Sequence, residues 1–373
     1  MPPTTTHGPA SLNQADPAKR NQSLDVLRGV AILMVLGNHA AYYRIWARAG
    51  WAGVPLFFVL SGFLISGLLF KEYKERGSIS FPRFFCRRAF KIWPSYYALL
   101  AFTAYLYHLA RFALPIPTIA LAVTFFSNYF QGTRYEFVPV GHLWSVCVEE
   151  HFYLALPILL IALVRLGRSG RDPFRIIPFL SGFSLVFCLF LRARFLPDGG
   201  WAARTDMLFD SLLAGVFLGY LYHFHPRWFA KVSATPWLLL SAALFAPAMF
   251  LERTNRGIET LGLTALSIAF FFLVAWSVGR EQLMPGLVGK ALAKVGFYSY
   301  SIYLWHMYLT PRVLHYPVTF FAFWLYVVAS VCVGILLANL IELPCLAIRE
   351  RIIPHGRNVE MPAVQAEQAT VLA

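Results

Sequence analysis

The chain has 373 residues, 58% apolar, 17% aromatic and only 13% charged, with a formal net charge of +14 from 32 Lys plus Arg against 18 Asp plus Glu. A soluble globular domain carries about 25% charged residues, so a water-soluble enzyme or binding module is excluded. In a soluble chain the basic excess would suggest nucleic acid; here it matches the Lys and Arg that gather in cytoplasmic loops of membrane proteins, and no nucleic-acid partner is expected.

Residues 1–22 are polar and rich in Pro and Thr, without the apolar core of a cleavable signal, and are expected to form a disordered cytoplasmic tail. Apolar blocks of bilayer-crossing length follow at 25–43, 52–70, 92–110, 143–164, 176–196, 207–224, 235–251, 260–279, 297–313 and 318–345. The expected fold is therefore all-α: a polytopic bundle of about ten transmembrane helices over residues 23–350. Residues 351–373 form a second tail. The five cysteines have no close-spaced pair, which suggests neither a disulfide framework nor a zinc site, and no metal is expected.

An eleventh apolar stretch, 118–130, is short and interrupted. With ten spans and a cytoplasmic N-terminus, 22 of the Lys and Arg residues fall inside and 10 outside; if 118–130 also crossed, the split would be 17 to 15. The positive-inside rule favours ten spans and both termini in the cytoplasm. Residues 118–130 are then an interfacial or re-entrant segment in an external loop. The basic run "KEYKERGSISFPRFFCRRAFK", 71–91, reads as a cytoplasmic loop.

Several ionisable residues interrupt these spans. His39 lies about 20 Å into the first at 1.5 Å per residue, on the same face as Arg28 and about 16 Å from it. Glu149 and Glu150 fall in "HLWSVCVEEHFYLALP", Asp206 and Asp210 open the sixth span, and His306 lies near the middle of the ninth. A single buried imidazole is readily satisfied by a neighbouring carbonyl. Four helices each placing such a group at middle-to-outer depth point instead to a site or pathway. A cation at the inner mouth and an imidazole deep on the same stripe suit a substrate that enters from the cytoplasm and reacts within the membrane.

These stretches, taken together and in order, resemble the acyltransferase-3 family of membrane-bound O-acyltransferases: "LDVLRGVAILMVLGNH" at 24–39, "FFVLSGFLIS" at 57–66, "FPRFFCRRAFKIWPSYY" at 81–97, "HLWSVCVEEHFYLALP" at 142–157, "TDMLFDSLLAG" at 205–215 and "SYSIYLWH" at 299–306. The resemblance implies a bundle of about ten helices in a bacterial inner membrane. It also implies acetyl-CoA as cytoplasmic donor cosubstrate, and a sugar hydroxyl or secreted small molecule as acceptor. The family's Arg and His, ten residues between them, fall on Arg28 and His39, its Arg-x-x-Arg pair on Arg88 and Lys91, and its Trp-Ser-x-x-x-Glu glutamate on Glu149. Lys91 stands where Arg is usual, which replaces a bidentate phosphate contact by a point charge. His151 stands for a common Gln, and Leu208 for a frequent Arg. Some members carry a further hydrolase-like domain after the membrane part; this chain is expected to act alone or with a separate partner.

Acyl transfer to a hydroxyl needs a base, a stabiliser for the developing oxyanion and a clamp on the donor. The resemblance makes His39 the expected base, with Glu149 either orienting it or holding sugar hydroxyls. Arg28, Arg88 and Lys91 are expected at the phosphates of CoA. Trp144, Ser145, Asp210, Tyr303 and His306 are expected along the acceptor path. There is no Gly-x-Ser-x-Gly elbow, and "LSGFLIS" reads as small-residue helix packing. The alternative is a proton-coupled transporter, which buried His and carboxylate groups also suit; carriers, however, commonly show internal repeats, and none is seen here.

Overall fold

The computed structural model describes residues 21–40, 42–131, 140–167, 171–196, 203–251, 255–280 and 282–353. Nearly all of both expected tails lies outside these. Among the described residues the fold is helical, without strands.

Helix α1 is Gln22–Ala40. The short α2, Arg44–Ala49, is tied back to it: the Trp46 indole donates to the Leu33 carbonyl at 3.0 Å and the Asn38 amide to that of Ala47 at 2.6 Å. After one 3-10 turn comes α3, Gly53–Arg76, which ends at Gly77 in the left-handed region (φ 68°), where a residue without Cβ fits best. Helix α4 follows at once as Phe81–Leu109. The run 71–91 is thus not a loop: only 77–80 leave the helices, and the cations occupy the last turns of α3 and the first turns of α4.

Helix α5, Ile116–Val123, is eight residues and about 12 Å long, too short to cross a core of about 30 Å. Its carbonyls at Ala122 and Val123 accept from the Tyr96 and Tyr97 hydroxyls at 2.8 and 3.0 Å, and Phe125 stacks on Tyr96 at 4.4 Å. Tyr97 is twelve residues, about 18 Å, back from the end of α4. Residues 116–130 therefore fold back along α4 in re-entrant fashion. The turn puts Phe125 at a φ of 62°, uncommon for a bulky side chain.

Helices α6 (Trp144–Leu166), α7 (Ile177–Phe195) and α8 (Phe209–Phe224) follow. A Cβ at Gly62 of α3 would land on the Leu212 carbonyl, and one at Gly215 of α8 on that of Val59. The backbones touch through these small residues, the packing mode expected for "LSGFLIS". Then come α9 (Pro226–Val232), α10 (Pro236–Phe245) and α11 (Pro247–Phe250), each opened by a proline that lacks an N–H. Helix α12, Leu263–Val278, grows out of a π turn at Ile258–Gly262.

The ninth expected span is not one continuous helix. Helix α13, Gly286–Phe297, carries Lys290 and Lys294; after Tyr298 the chain restarts as α14, Ser299–Trp305, tightens into a 3-10 turn at His306–Leu309 and ends in α15, Pro311–Leu314. Pro311 cannot donate to the preceding turn. Helix α13 lies on α1, where a Cβ at Gly29 would meet the Leu292 carbonyl and one at Gly296 the Asp25 carbonyl. Finally α16, Phe320–Leu337, passes through a π turn at Ala338–Glu342 into α17, Leu343–Ile352.

Five stretches among the described residues are individually long and apolar enough to cross a membrane: 44–76, 141–166, 177–195, 258–278 and 320–352. A sixth is the pair Pro226–Val232 and Pro236–Phe250, bent by 58°, if it counts as one span. Residues such as Phe179, Phe183, Phe190, Phe321, Leu325 and Val328 face outward from α7 and α16. An apolar surface of that extent requires a non-aqueous surrounding. The chain is a multi-pass membrane protein.

Candidate active site

Helix α6 carries a stripe of polar groups at His142, Ser145, Glu149 and Tyr153, spaced three, four and four residues and hence on one face. His142 lies in the 3-10 turn Gly141–Leu143 that leads into the helix. Around this stripe the structure gathers two tiers of side chains.

In the inner tier the Tyr153 hydroxyl donates to Glu149 Oε2 at 2.8 Å. Its single proton is thereby used, so the Ser61 hydroxyl, 2.6 Å away, donates to the Tyr153 oxygen. Arg28 from α1 and Arg88 from α4 act electrostatically on the Glu149 carboxylate. Arg88 makes no hydrogen bond or ion pair among the described residues; its guanidinium lies 5.8 Å from the Phe84 ring. Lys91, one turn on, is held by Glu342 Oε1 at 2.8 Å. The neighbouring Glu150 accepts from the Trp93 indole at 3.0 Å.

In the outer tier three imidazoles meet. The His306 ring lies 5.0 Å from that of His39 and 5.2 Å from that of His142. His306 is 0% exposed and His142 4%. Carbonyl oxygens only accept, so two contacts assign ring protons: His142 Nε2 donates to Leu304 at 3.1 Å and His306 Nδ1 to Tyr303 at 2.6 Å. The Nε2 of a neutral His306 then carries a lone pair, and that atom is buried without a hydrogen-bond partner among the described residues. The Tyr303 hydroxyl donates to the His142 carbonyl at 2.6 Å and receives the Ser145 hydroxyl at 2.7 Å. Trp144 is buried edge-on against Phe58 at 6.1 Å.

The tiers agree in depth. Arg28 and His39 are about 16 Å apart along α1, and His142 and Glu149 about 10 Å apart along α6. With both histidines at the level of His306, Arg28 must reach the remaining distance toward Glu149, which suits its long stem.

Of the expected site residues, His39, Ser145, Tyr303 and His306 are brought together in the outer tier, and Arg28, Arg88 and Glu149 in the inner one. Lys91 lies beside the inner tier in an ion pair. Asp210 is elsewhere occupied: it pairs with Arg192 of α7 at 2.5 Å, both groups 0% exposed, and Arg192 also donates to Thr264 at 2.7 Å. Asp206 pairs with Arg204 at 2.9 Å. Among the described residues no three His, Cys, Asp or Glu side chains could hold a metal ion, and the five cysteines are unpaired. His142, Ser61, Tyr153 and Glu342 are additions that single-span reasoning missed. The first and third share the 3-4-4 spacing with Ser145 and Glu149, a signal present in the sequence.

The sequence profile of a family described as an acyltransferase domain matches residues 21–342. Among relatives, a Staphylococcus aureus (strain COL) protein with the provisional name O-acetyltransferase SACOL0978 is 28% identical over 314 residues, covering 79% of this chain and 51% of its own length. O-acetyltransferase OatA of S. aureus (strain NCTC 8325) is 26% identical over 303 residues, covering 76% of this chain and 49% of its own. The chain thus spans about half the length of the curated relatives it matches. No solved structure matches it.

Proposed function

This chain belongs to the acyltransferase-3 family, and from that premise we propose that it is a membrane O-acyltransferase moving an acetyl group from cytoplasmic acetyl-CoA to a hydroxyl of a carbohydrate or related acceptor. The observation that supports this most directly is the outer tier: His39, His142 and His306 packed ring to ring beside Ser145 and Tyr303, with the cations Arg28 and Arg88 one level below. In our reading ten helices form the bundle, both termini are cytoplasmic, and the protein sits in a bacterial inner membrane.

The pantetheine arm of the donor extends from the cationic inner tier toward the histidines, its phosphates on Arg28 and Arg88. A nitrogen of the His39 imidazole takes the proton of the acceptor hydroxyl as its oxygen attacks the thioester carbon. The carbon–sulfur bond breaks, and the CoA sulfur leaves with the proton that His39 returns. His306 Nε2, buried and without a hydrogen-bond partner among the described residues, receives a hydrogen bond from a second, neighbouring hydroxyl of the acceptor and so orients the reacting one. Ser145 and Tyr303 hold the wall against which the acceptor lies. Glu149, held by Tyr153 beside Arg28 and Arg88, fixes the cations rather than the base.

The test compares cells carrying the intact chain with cells carrying His39→Ala at equal membrane abundance. Base-labile acyl esters on envelope glycans and secreted small molecules are measured by mass spectrometry. An ester made by the intact chain and lost with His39→Ala supports the reading. Equal ester from both removes His39 from the chemistry.

A further inference from the structure

Three of the cations on the first turns of α4, Arg87, Arg88 and Lys91, are treated unequally by the α16–α17 arm. Arg87 is held by Glu350 at 2.8 Å and by the Ile353 carbonyl. Lys91 is held by Glu342 at 2.8 Å. Arg88, between them, makes no ion pair among the described residues. The arm thus fixes the two flanking cations in place and makes no ion pair with the central guanidinium among the described residues.

Glu342 is built for this place. It is 4% exposed, and its second oxygen accepts from Ser301 at 2.8 Å, so the carboxylate is anchored at both ends. It closes the π turn Ala338–Glu342. One extra residue in a turn rotates all later side chains by about 100°, and such turns concentrate at functional sites.

We propose that Glu342 is a positioning residue for the donor. It holds the Lys91 ammonium one helical turn from Arg88, so that the two present a preformed cradle to the phosphates of acyl-CoA, and the flexible lysine stem is ordered before the ligand arrives. This inference rests on the donor assignment above.

The experiment uses the full chain in lipid nanodiscs and reads CoA binding by calorimetry alongside acyl-transfer kinetics. Glu342→Gln raises the Kd for CoA and the KM for acyl-CoA about tenfold, the scale of one lost charge-assisted contact, while kcat stays within about twofold. Lys91→Met does the same, and the double variant is no worse than Lys91→Met alone, because both remove one coupled unit. Glu342→Asp recovers part of the loss. Unchanged Kd and KM in Glu342→Gln, with Lys91→Met raising both, overturns the inference while leaving the donor reading intact. Additive losses in the double variant overturn it too. Intact protein that binds no CoA overturns the donor reading and this inference with it. If Glu342→Gln does not fold, Ser301→Ala removes one anchor and keeps the charge; a donor KM raised at constant kcat supports the inference, and a lowered melting temperature at constant KM overturns it.

Discussion

The hydroxyl of Tyr303 donates to the main-chain carbonyl of His142, 161 residues earlier, at 2.6 Å. Together with the His142 Nε2 bond to the Leu304 carbonyl, it joins α14 to the turn leading into α6 and holds His142 at the level of His306. Tyr303→Phe keeps the ring and removes the bond. A hydrogen bond of this kind contributes about 1 kcal/mol, so ester formation is expected to fall by about fivefold to tenfold at equal protein abundance. Turnover by purified protein measures it; an unchanged rate would show that the tie is not needed for the chemistry.

The base assigned to His39 has a sharper consequence. General bases contribute about 10²–10⁴ in rate. His39→Gln, which keeps much of the volume and loses the basic nitrogen, is expected to lower kcat by at least about a hundredfold with CoA binding retained. A loss of CoA binding in the same variant would place His39 in the donor site instead.

Arg88→Met removes a cation that makes no direct ion pair among the described residues. The donor KM is expected to rise about tenfold or more, and Arg88→Lys to recover part of it. The melting temperature of the purified protein is expected to change by no more than a few degrees, because Arg88 forms no direct ion pair among the described residues and acts on Glu149 only at longer range.

Asp210 behaves oppositely. Removing one member of a buried pair leaves an uncompensated charge and costs about 3–5 kcal/mol. Asp210→Asn is expected to lose folded protein in a fluorescence size-exclusion assay, and the double variant Arg192→Met with Asp210→Leu to recover it, since apolar replacement of a buried pair is commonly neutral. Failure of the double variant alone would assign the pair a role beyond packing.

The small-residue contact of α3 with α8 gives a last expectation. Gly215→Val would drive a branched side chain onto the Val59 carbonyl. Overpacking of this kind costs about 1–3 kcal/mol, and lowered thermal stability in detergent checks it.

Much of this site was legible because membrane burial makes polar groups conspicuous. Arg28 and His39 share a stripe on one helix, and Glu149, Tyr303 and His306 interrupt apolar blocks. His142 escaped notice because it lies one residue before the expected span, in a 3-10 turn rather than the helix. Lys91 carries no local sign of Glu342, 251 residues away. Asp210 read as an acceptor contact because its partner Arg192 sits on the preceding helix, and pairing between helices leaves no periodic trace. The ninth span, 297–313, broke after Trp305, where α14 gives way to the 3-10 turn His306–Leu309 and then to α15. Composition reports that such a stretch is apolar, not that it is interrupted.

The crossing of α1 and α13 at Gly29 and Gly296 has backbone resting on backbone, with no side chain between them to compress. Helix α14 begins two residues after α13 ends. The segments bearing His39 and His306 are therefore carried on one clasp. An opening that admits an acceptor is expected instead between α14 and the turn into α6, which meet through the side chains of Tyr303, His306 and His142.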